Sequence, residues 1–169
     1  MNVRIYSCPD SDFKPYVERA VQFYGKQLIP NTRIRNNCTI TVRFDAKINE
    51  YGFCSIEDYN TANKPRSFNV EIHPGLGVRG ILATLAHEMV HVKQYIYEET
   101  NDDLSHWRGK RIDSDLVEYW SHPWEIDAYG RETGLLTKFA ISEQLWDVFE
   151  EFRNPTLPII SMPIRWKNL

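Results

Sequence analysis

The apolar residues in the first half of the chain recur at two different spacings. Alternation of apolar and polar residues predicts short strands, which lie over residues 3–7, 38–44, 51–57 and 67–73. Helical spacing between the first two strands predicts an amphipathic helix over about residues 12–28, and Pro30 would end it. This order of elements predicts one N-terminal helix and a small mixed or antiparallel sheet.

A second helix is predicted over about residues 78–98, where the apolar pattern changes again. Its first half is apolar nearly all round, which is typical of a buried helix, and it becomes polar from Lys93 onwards. This helix contains the segment His87-Glu88-Met89-Val90-His91. Three titratable side chains in apolar surroundings are costly unless a function uses them.

The region after this helix is less regular. Residues 100–116 are polar and have no sustained period, and residues 118–130 are rich in aromatic side chains. Pro123 predicts the first turn of a helix over about residues 123–133, which Gly134 would end or break.

The C-terminal part of the chain is predicted to be helical and then extended. Apolar residues over 135–152 predict one or two further helices, with Ser142 as a candidate N-cap. Three prolines predict an extended tail over residues 155–169. Because 169 residues is the length of one domain, we expect a single α+β domain over residues 1–154, followed by the tail.

The overall composition argues against several classes of partner. Lys and Arg number 20 against 23 Asp and Glu, so the net charge of −3 provides no broad field that attracts nucleic acid or an anionic membrane. No apolar run approaches the length that spans a bilayer, and the N-terminus lacks the apolar core of a signal peptide. Three widely spaced cysteines indicate free thiols in a reducing compartment. We therefore expect a cytoplasmic monomer.

The segment from His87 to His91 has the form H-E-x-x-H, which is typical of zinc sites. Side chains four residues apart share one helix face, so the imidazoles of His87 and His91 can bind the same Zn²⁺ ion. Glu88 projects about 100° round the helix, where it can act as general base toward a water in the open coordination position. The alternative is a chance match to a short motif, against which the apolar flank of the segment argues.

With its motif helix following a small sheet, the chain resembles the zincin metallopeptidases, whose signature is this motif on the active-site helix. The resemblance implies a zincin-like fold and hydrolysis of peptide bonds in a peptide or protein substrate. It also implies that the last strand before the helix, residues 67–73, is the sheet edge that pairs with an extended substrate. The alternative is an ordinary strand of the sheet, and both descriptions can hold together.

A catalytic zinc site needs a third protein ligand. Glu125 lies at the predicted start of the next helix, and the pattern Glu125-Ile126-Asp127-Ala128 resembles the third-ligand helix of small gluzincin-type peptidases, including the ImmA/IrrE-like group. His106 is the alternative, because SprT-like proteins resemble this chain in the motif helix and take a third histidine soon after it. The residues around His106 depart from their pattern. Two further candidates remain, His122 and Asp127.

Several side chains near Glu125 are candidates for assisting catalysis. Tyr129 follows it by four residues on the same helix face, and we expect the Tyr129 hydroxyl to donate to the oxyanion of a tetrahedral intermediate. Tyr119 and His122 precede the helix and are alternatives for this role. Asp127 is a candidate for orienting a ligand histidine. For each of them the simpler alternative is a packing or solvated surface position.

The segment Trp107-Arg108-Gly109-Lys110-Arg111 places three basic residues beside an aromatic one. Such a run contacts nucleic acid in some proteins, but it is more often a solvated turn.

Taken together, these motifs predict a zinc-dependent metallopeptidase with Glu88 as its base and Tyr129 as a helper. Two other classes stay open: a SprT-like protease that acts near DNA, and a metal-binding regulatory or structural domain without turnover.

Overall fold

The computed structural model describes residues 1–146 and Phe149, and all structural statements concern these residues. The helices are α1 (Lys14–Leu28), α2 (Thr32–Asn36), α3 (Val78–Ile96) and α4 (Pro123–Glu143). The strands are β1 (Asn2–Tyr6), β2 (Thr39–Phe44), β3 (Gly52–Tyr59), β4 (Pro65–Ile72), β5 (His106–Trp107) and β6 (Lys110–Arg111). Two 3₁₀ turns precede α4, at Ser114–Leu116 and Tyr119–Ser121.

The first four strands form one sheet in the order β1-β2-β4-β3. Strands β1, β2 and β4 are parallel, whereas β3 runs antiparallel to β4, so the sheet is mixed. Aligned apolar side chains cross the four strands, and this row consists of Ile5, Val42, Val70 and Cys54. Four helices and a small mixed sheet in the described part of the chain confirm the predicted α+β class.

The prediction that residues 67–73 form the sheet edge is wrong. Strand β4 is bonded on both sides, with Phe68 opposite Ile40 of β2 and opposite Ile56 of β3. The reason is that β4 extends the parallel part of the sheet, while β3 folds back along the outer side of β4. The edge strand on this side is therefore β3.

Helix α3 lies at the centre of the molecule. It contacts α1, strands β3 and β4, and α4. Tyr24 of α1 is fully buried against α3, and its hydroxyl donates to the carbonyl of Leu82 at 3.2 Å. Met89 of α3 and Phe139 of α4 are also fully buried. Contacts on so many sides explain the apolar residues all round the first half of the motif helix.

Helix α4 is continuous where the sequence predicted a break at Gly134. Glycine inside a helix costs only about 1 kcal/mol relative to alanine, and burial of Leu135, Leu136 and Phe139, which follow Gly134, outweighs this cost. Ser142 is not an N-cap, because it lies in the last turn of α4 and its hydroxyl donates to the Phe139 carbonyl at 2.9 Å. Of the region predicted to hold one or two further helices, residues 135–143 belong to α4, whereas residues 147–148 and 150–152 lie outside the described residues. The extended tail predicted over 155–169 also lies outside them.

Two local elements were not predicted. Helix α2 begins because the side chain of Asn31 accepts a hydrogen bond from the Ile34 backbone N–H at 3.1 Å, which is an N-cap. Strands β5 and β6 form a hairpin whose turn has positive φ at Arg108 (47°) and Gly109 (79°), as a two-residue hairpin loop requires.

The three cysteines are free thiols, as predicted. Over the described residues, no helix is both long and apolar enough to cross a bilayer.

Candidate metal centre

The side chains of His87, His91 and Glu125 converge on one point between α3 and α4. The two Nε2 atoms of the histidines are 3.1 Å apart. The Oε2 atom of Glu125 lies 3.2 Å from His87 Nε2, and its Oε1 atom lies 3.7 Å from His91 Nε2. His87 and Glu125 are buried, and the His91 side chain keeps 12% exposure.

This spacing fits a single metal ion. Ligand atoms about 2.0–2.1 Å from a tetrahedral zinc ion are about 3.3 Å from one another, close to the 3.1 Å between the two histidine nitrogens and the 3.2 Å from His87 Nε2 to Glu125 Oε2. Two histidines and one glutamate are also a known catalytic ligand set, which leaves one coordination position open. This group could therefore hold a metal ion.

The fold brings the three ligands together through two helix contacts. His87 and His91 lie one turn apart on the face of α3 that meets α4. Pro123 occupies the first turn of α4 and places Glu125 in that turn. Ala128 is fully buried one turn later, and its small side chain lets α4 approach α3 closely.

Each ligand is held by a second side chain. The Nδ1 of His87 lies 3.3 Å from Oε2 of Glu132, and the Nδ1 of His91 lies 2.9 Å from Oε1 of Gln94. The hydroxyl of Tyr119 donates to Oε2 of Glu125 at 2.9 Å. Bonds of this kind fix the ring orientation and leave Nε2 free for a metal.

Sequence reasoning missed two of these residues, Glu132 and Gln94. The available signal was helical spacing, since Gln94 follows His91 by three residues and Glu132 follows Glu125 by seven.

The surroundings of this group attract positive charge. Burial lowers the pKa of His87, but hydrogen bonds with Glu125 and Glu132 and the charge of Glu88 outweigh burial and raise that pKa to about 10. Burial also raises the pKa of Glu125, but the hydrogen bond from His87 and the nearby charge of His91 bring it below its ordinary value. The same carboxylates that favour a proton on His87 would stabilise a bound cation.

Glu88 lies against Gly52, the first residue of the edge strand β3. A Cβ added to Gly52 would lie 2.8 Å from Glu88 Oε1 and would overlap the Thr84 side chain. Burial raises the pKa of Glu88 to about 8, with the charge of His87 opposing this rise and the charge of Glu125 adding to it. Glu88 is thus a buried carboxyl group beside the group of ligands and beside a sheet edge.

Replacing Gly52 with alanine is expected to lower the free energy of unfolding by about 1–3 kcal/mol, because the added methyl overpacks the contact between β3 and α3. Urea denaturation measures the change. Gly134→Ala is the matched control, because its Cβ would meet nothing within 4 Å in an exposed helix position. We expect this control to be more stable by about 0.5–1 kcal/mol. Equal changes in the two variants would contradict the close approach at Gly52.

The predicted helper Tyr129 lies beside the ligands without bonding to them. Its ring centroid is 4.4 Å from that of His87, and its side chain is 43% exposed. The Trp120 ring packs against it at a tilt of 40° with centroids 5.1 Å apart, and Tyr119 packs edge-on against Trp120 at 5.3 Å. Half-exposed aromatic rings therefore border the ligand group on the α4 side. The role of Tyr129 as an oxyanion donor stays a prediction.

The structure does not bring the other candidate ligands to this point. His106 is exposed on the β5–β6 hairpin, where its Nδ1 lies 2.9 Å from the Ser105 hydroxyl. The Nε2 of His122 donates to the Val117 carbonyl at 3.0 Å and so holds the turn that precedes α4. Asp127 pairs with Arg131 at 2.9 Å and touches the ligands only through Gln94.

The basic segment forms the β5–β6 hairpin. Arg108 lies over the Trp107 ring at 4.8 Å and pairs with Glu99 at 3.3 Å. Lys110 and Arg111 are exposed on the second strand. Acidic residues precede and follow the hairpin at Asp102, Asp103, Asp113 and Asp115. The hairpin therefore does not form an extended basic surface.

The histidine pair with Glu125 is thus a candidate metal centre of the two-histidine, one-carboxylate kind. Comparisons with protein-family models, with curated proteins and with solved structures found no match for this chain.

Proposed function

We propose that this protein is a zinc-dependent metallopeptidase of the zincin kind, with the minimal gluzincin ligand set. The observation that carries the proposal is the convergence of His87, His91 and Glu125, with Glu88 buried next to them on α3. The resemblance of the H-E-x-x-H helix to zincins supports the same reading. The expected substrate is a peptide or an unfolded protein segment.

In this proposal each residue has a separate task. His87, His91 and Glu125 hold the ion. A zinc ion bound there would lower the pKa of a coordinated water to about 7 and polarise a substrate carbonyl. The charge of that ion would lower the pKa of Glu88 and keep its carboxylate ionised, so that Glu88 can accept a proton from the attacking water and return it to the leaving amine. The Tyr129 hydroxyl, at the border of the site, donates to the oxygen of the attacked carbonyl.

The edge strand β3 supplies a binding surface for an extended substrate. Among the described residues, no strand pairs with the outer side of β3. A peptide that adds to this edge gains main-chain hydrogen bonds without strict sequence requirements. Because β3 begins at Gly52, against Glu88, such a peptide would pass beside the proposed base.

Removal of the metal is the direct test. We expect the purified protein to contain one zinc ion per chain by elemental analysis and to cleave an unstructured peptide substrate. A chelator should reduce cleavage to background, and one equivalent of Zn²⁺ should restore it, whereas Mg²⁺, which prefers oxygen ligands, should not. Protein that contains no zinc and binds none on titration would contradict the proposal.

The DNA-associated protease is the second candidate, and it depends on the exposed Lys110 and Arg111 of the hairpin. It requires an affinity for DNA that falls steeply as salt rises. It also requires that DNA stimulate cleavage. A protein that binds zinc but cleaves nothing, with or without DNA, would instead be a regulatory or structural metal-binding domain.

A further inference from the structure

We propose that Gln94 is a positioning residue that fixes the second and third metal ligands relative to each other. Its side chain lies between α3 and α4 and is fully buried. The amide oxygen accepts from His91 Nδ1 at 2.9 Å, and the amide nitrogen donates to the Trp124 carbonyl at 2.9 Å. Trp124 immediately precedes Glu125, so one amide group connects two of the three ligands.

The orientation of this amide determines the tautomer of His91. If the amide were flipped, its oxygen would face the Trp124 carbonyl, which is also an acceptor, and its nitrogen would face His91. Only the observed orientation satisfies the Trp124 carbonyl and the Asp127 carboxylate, which lies 3.3 Å from the amide nitrogen. The amide oxygen must then receive a proton from His91 Nδ1. His91 consequently directs the lone pair of Nε2 toward His87 and Glu125.

The same amide fixes the start of α4. Trp124 is almost completely buried, and its carbonyl is held by a side chain of α3. Because Glu125 is the next residue, this bond sets how far its carboxylate lies from His91. A buried polar network with all its groups paired specifies one geometry, and removing its central member leaves several groups unsatisfied.

The neighbouring residue provides a matched control. Lys93 also connects α3 to α4, through an ion pair with Asp127 at 3.4 Å, and it is similarly buried. Its side chain bonds to Glu99 and Asp127 but to no proposed ligand. Lys93→Met therefore removes a buried polar contact between the same helices without removing a bond to a ligand.

The test compares Gln94→Met with Lys93→Met in the full chain. Competition with a chromophoric chelator measures Zn²⁺ affinity, and the visible absorption of the Co²⁺-substituted protein reports ligand geometry. We expect Gln94→Met to bind Zn²⁺ about 10- to 100-fold more weakly and to shift the Co²⁺ spectrum. Lys93→Met should stay within about threefold of the unaltered protein, with an unchanged spectrum. Equal affinity of Gln94→Met and the unaltered protein, or equal weakening in both variants, would overturn the inference.

A measurement on the unaltered protein covers the case in which Gln94→Met does not fold. Nitrogen-15 NMR of the metal-free protein distinguishes the two tautomers of His91 without a bound ion that would itself select one of them. We expect His91 to carry its proton on Nδ1, and a proton on Nε2 would contradict the inference. The inference rests on the metal centre of the proposed function. Failure of the unaltered protein to bind zinc would therefore reject that function, whereas unaffected binding in Gln94→Met would reject only the role of Gln94.

Discussion

Glu88→Gln is expected to reduce kcat for peptide hydrolysis by about 10²- to 10⁴-fold, which is the usual contribution of a general base. The variant should keep one zinc ion per chain, because Glu88 lies toward Gly52 and outside the ligand group. Glutamine has nearly the same shape as glutamate but cannot accept the proton of the attacking water. The measurements are steady-state cleavage of a fluorogenic peptide and elemental analysis of the same samples.

The same variant has a second expected effect, on stability. Burial raises the pKa of Glu88 to about 8 from an ordinary value of 4.5, so between these pH values the folded state binds a proton that the unfolded state has lost. Stability therefore falls as pH rises across that window, and glutamine removes this loss. In chelator-treated samples, Glu88→Gln should exceed the unaltered protein in unfolding free energy by roughly 1–3 kcal/mol at pH 8, with little difference near pH 4.5.

Glu50→Gln is the control for both measurements. Glu50 is an exposed carboxylate that adds to the negative charge near Glu88. Its neutralisation should change kcat by less than about threefold and leave stability nearly unchanged, since exposed substitutions have small effects. A Glu88→Gln protein that retains the full rate of cleavage would show that another group is the base.

The elements that carry a regular hydrophobic pattern could be predicted from the sequence, and their arrangement in space could not. Alternating apolar residues located β2 and β4, and apolar residues all round located the buried helix α3. Which strand lies outermost depends on how the β3–β4 hairpin folds back. Nothing in the sequence of residues 67–73 indicates that β3 rather than β4 forms the edge. Gly52 illustrates the limit, because in the sequence it resembles an ordinary turn glycine, whereas in the fold it contacts Glu88.

Helix boundaries were predictable only where local chemistry decides them. Pro123 correctly marked the start of α4, because proline suits the first turn of a helix. Gly134 gave a false signal of an end, because long-range burial of Leu135 and Phe139 outweighs the local preference. Helix α2 was missed because its five residues contain too little apolar pattern, although its cap Asn31 was visible.

The residues of the candidate site also divide into those that local sequence predicts and those that depend on packing between helices. His87 and His91 were predicted from their spacing within one helix. Glu125 was predicted from its place at the start of the next helix and from the resemblance of Glu125-Ile126-Asp127-Ala128 to third-ligand helices. Gln94 and Glu132 act across the contact between α3 and α4, and their hydrogen bonds depend on how closely these helices pack. A single sequence contains no measure of that distance.

Replacing the proposed third ligand is expected to have the largest effect on metal binding. Loss of a residue that only hydrogen-bonds to a metal ligand weakens metal binding by roughly 10- to 100-fold. Glu125→Ala should weaken Zn²⁺ binding by more than this, because it removes a direct ligand. Peptide cleavage should fall to background at zinc concentrations that saturate the unaltered protein. The reason is geometric, since Glu125 is the carboxylate that lies 3.2 Å from His87 Nε2. Competition titration with a zinc-binding dye gives the affinity.

Two further variants make this comparison decisive. Glu132→Gln alters a carboxylate that contacts only the outer nitrogen of His87, at 3.3 Å, and should weaken zinc binding by at most the 10- to 100-fold of an outer residue. His106→Ala should change it by less than about threefold, because His106 is exposed on the hairpin and bonds to Ser105. The expected order of effects is therefore Glu125, then Glu132, then His106. If His106→Ala abolished zinc binding while Glu125→Ala preserved it, the third ligand would be the histidine, and the hairpin would have to lie against α3 in the metal-bound protein.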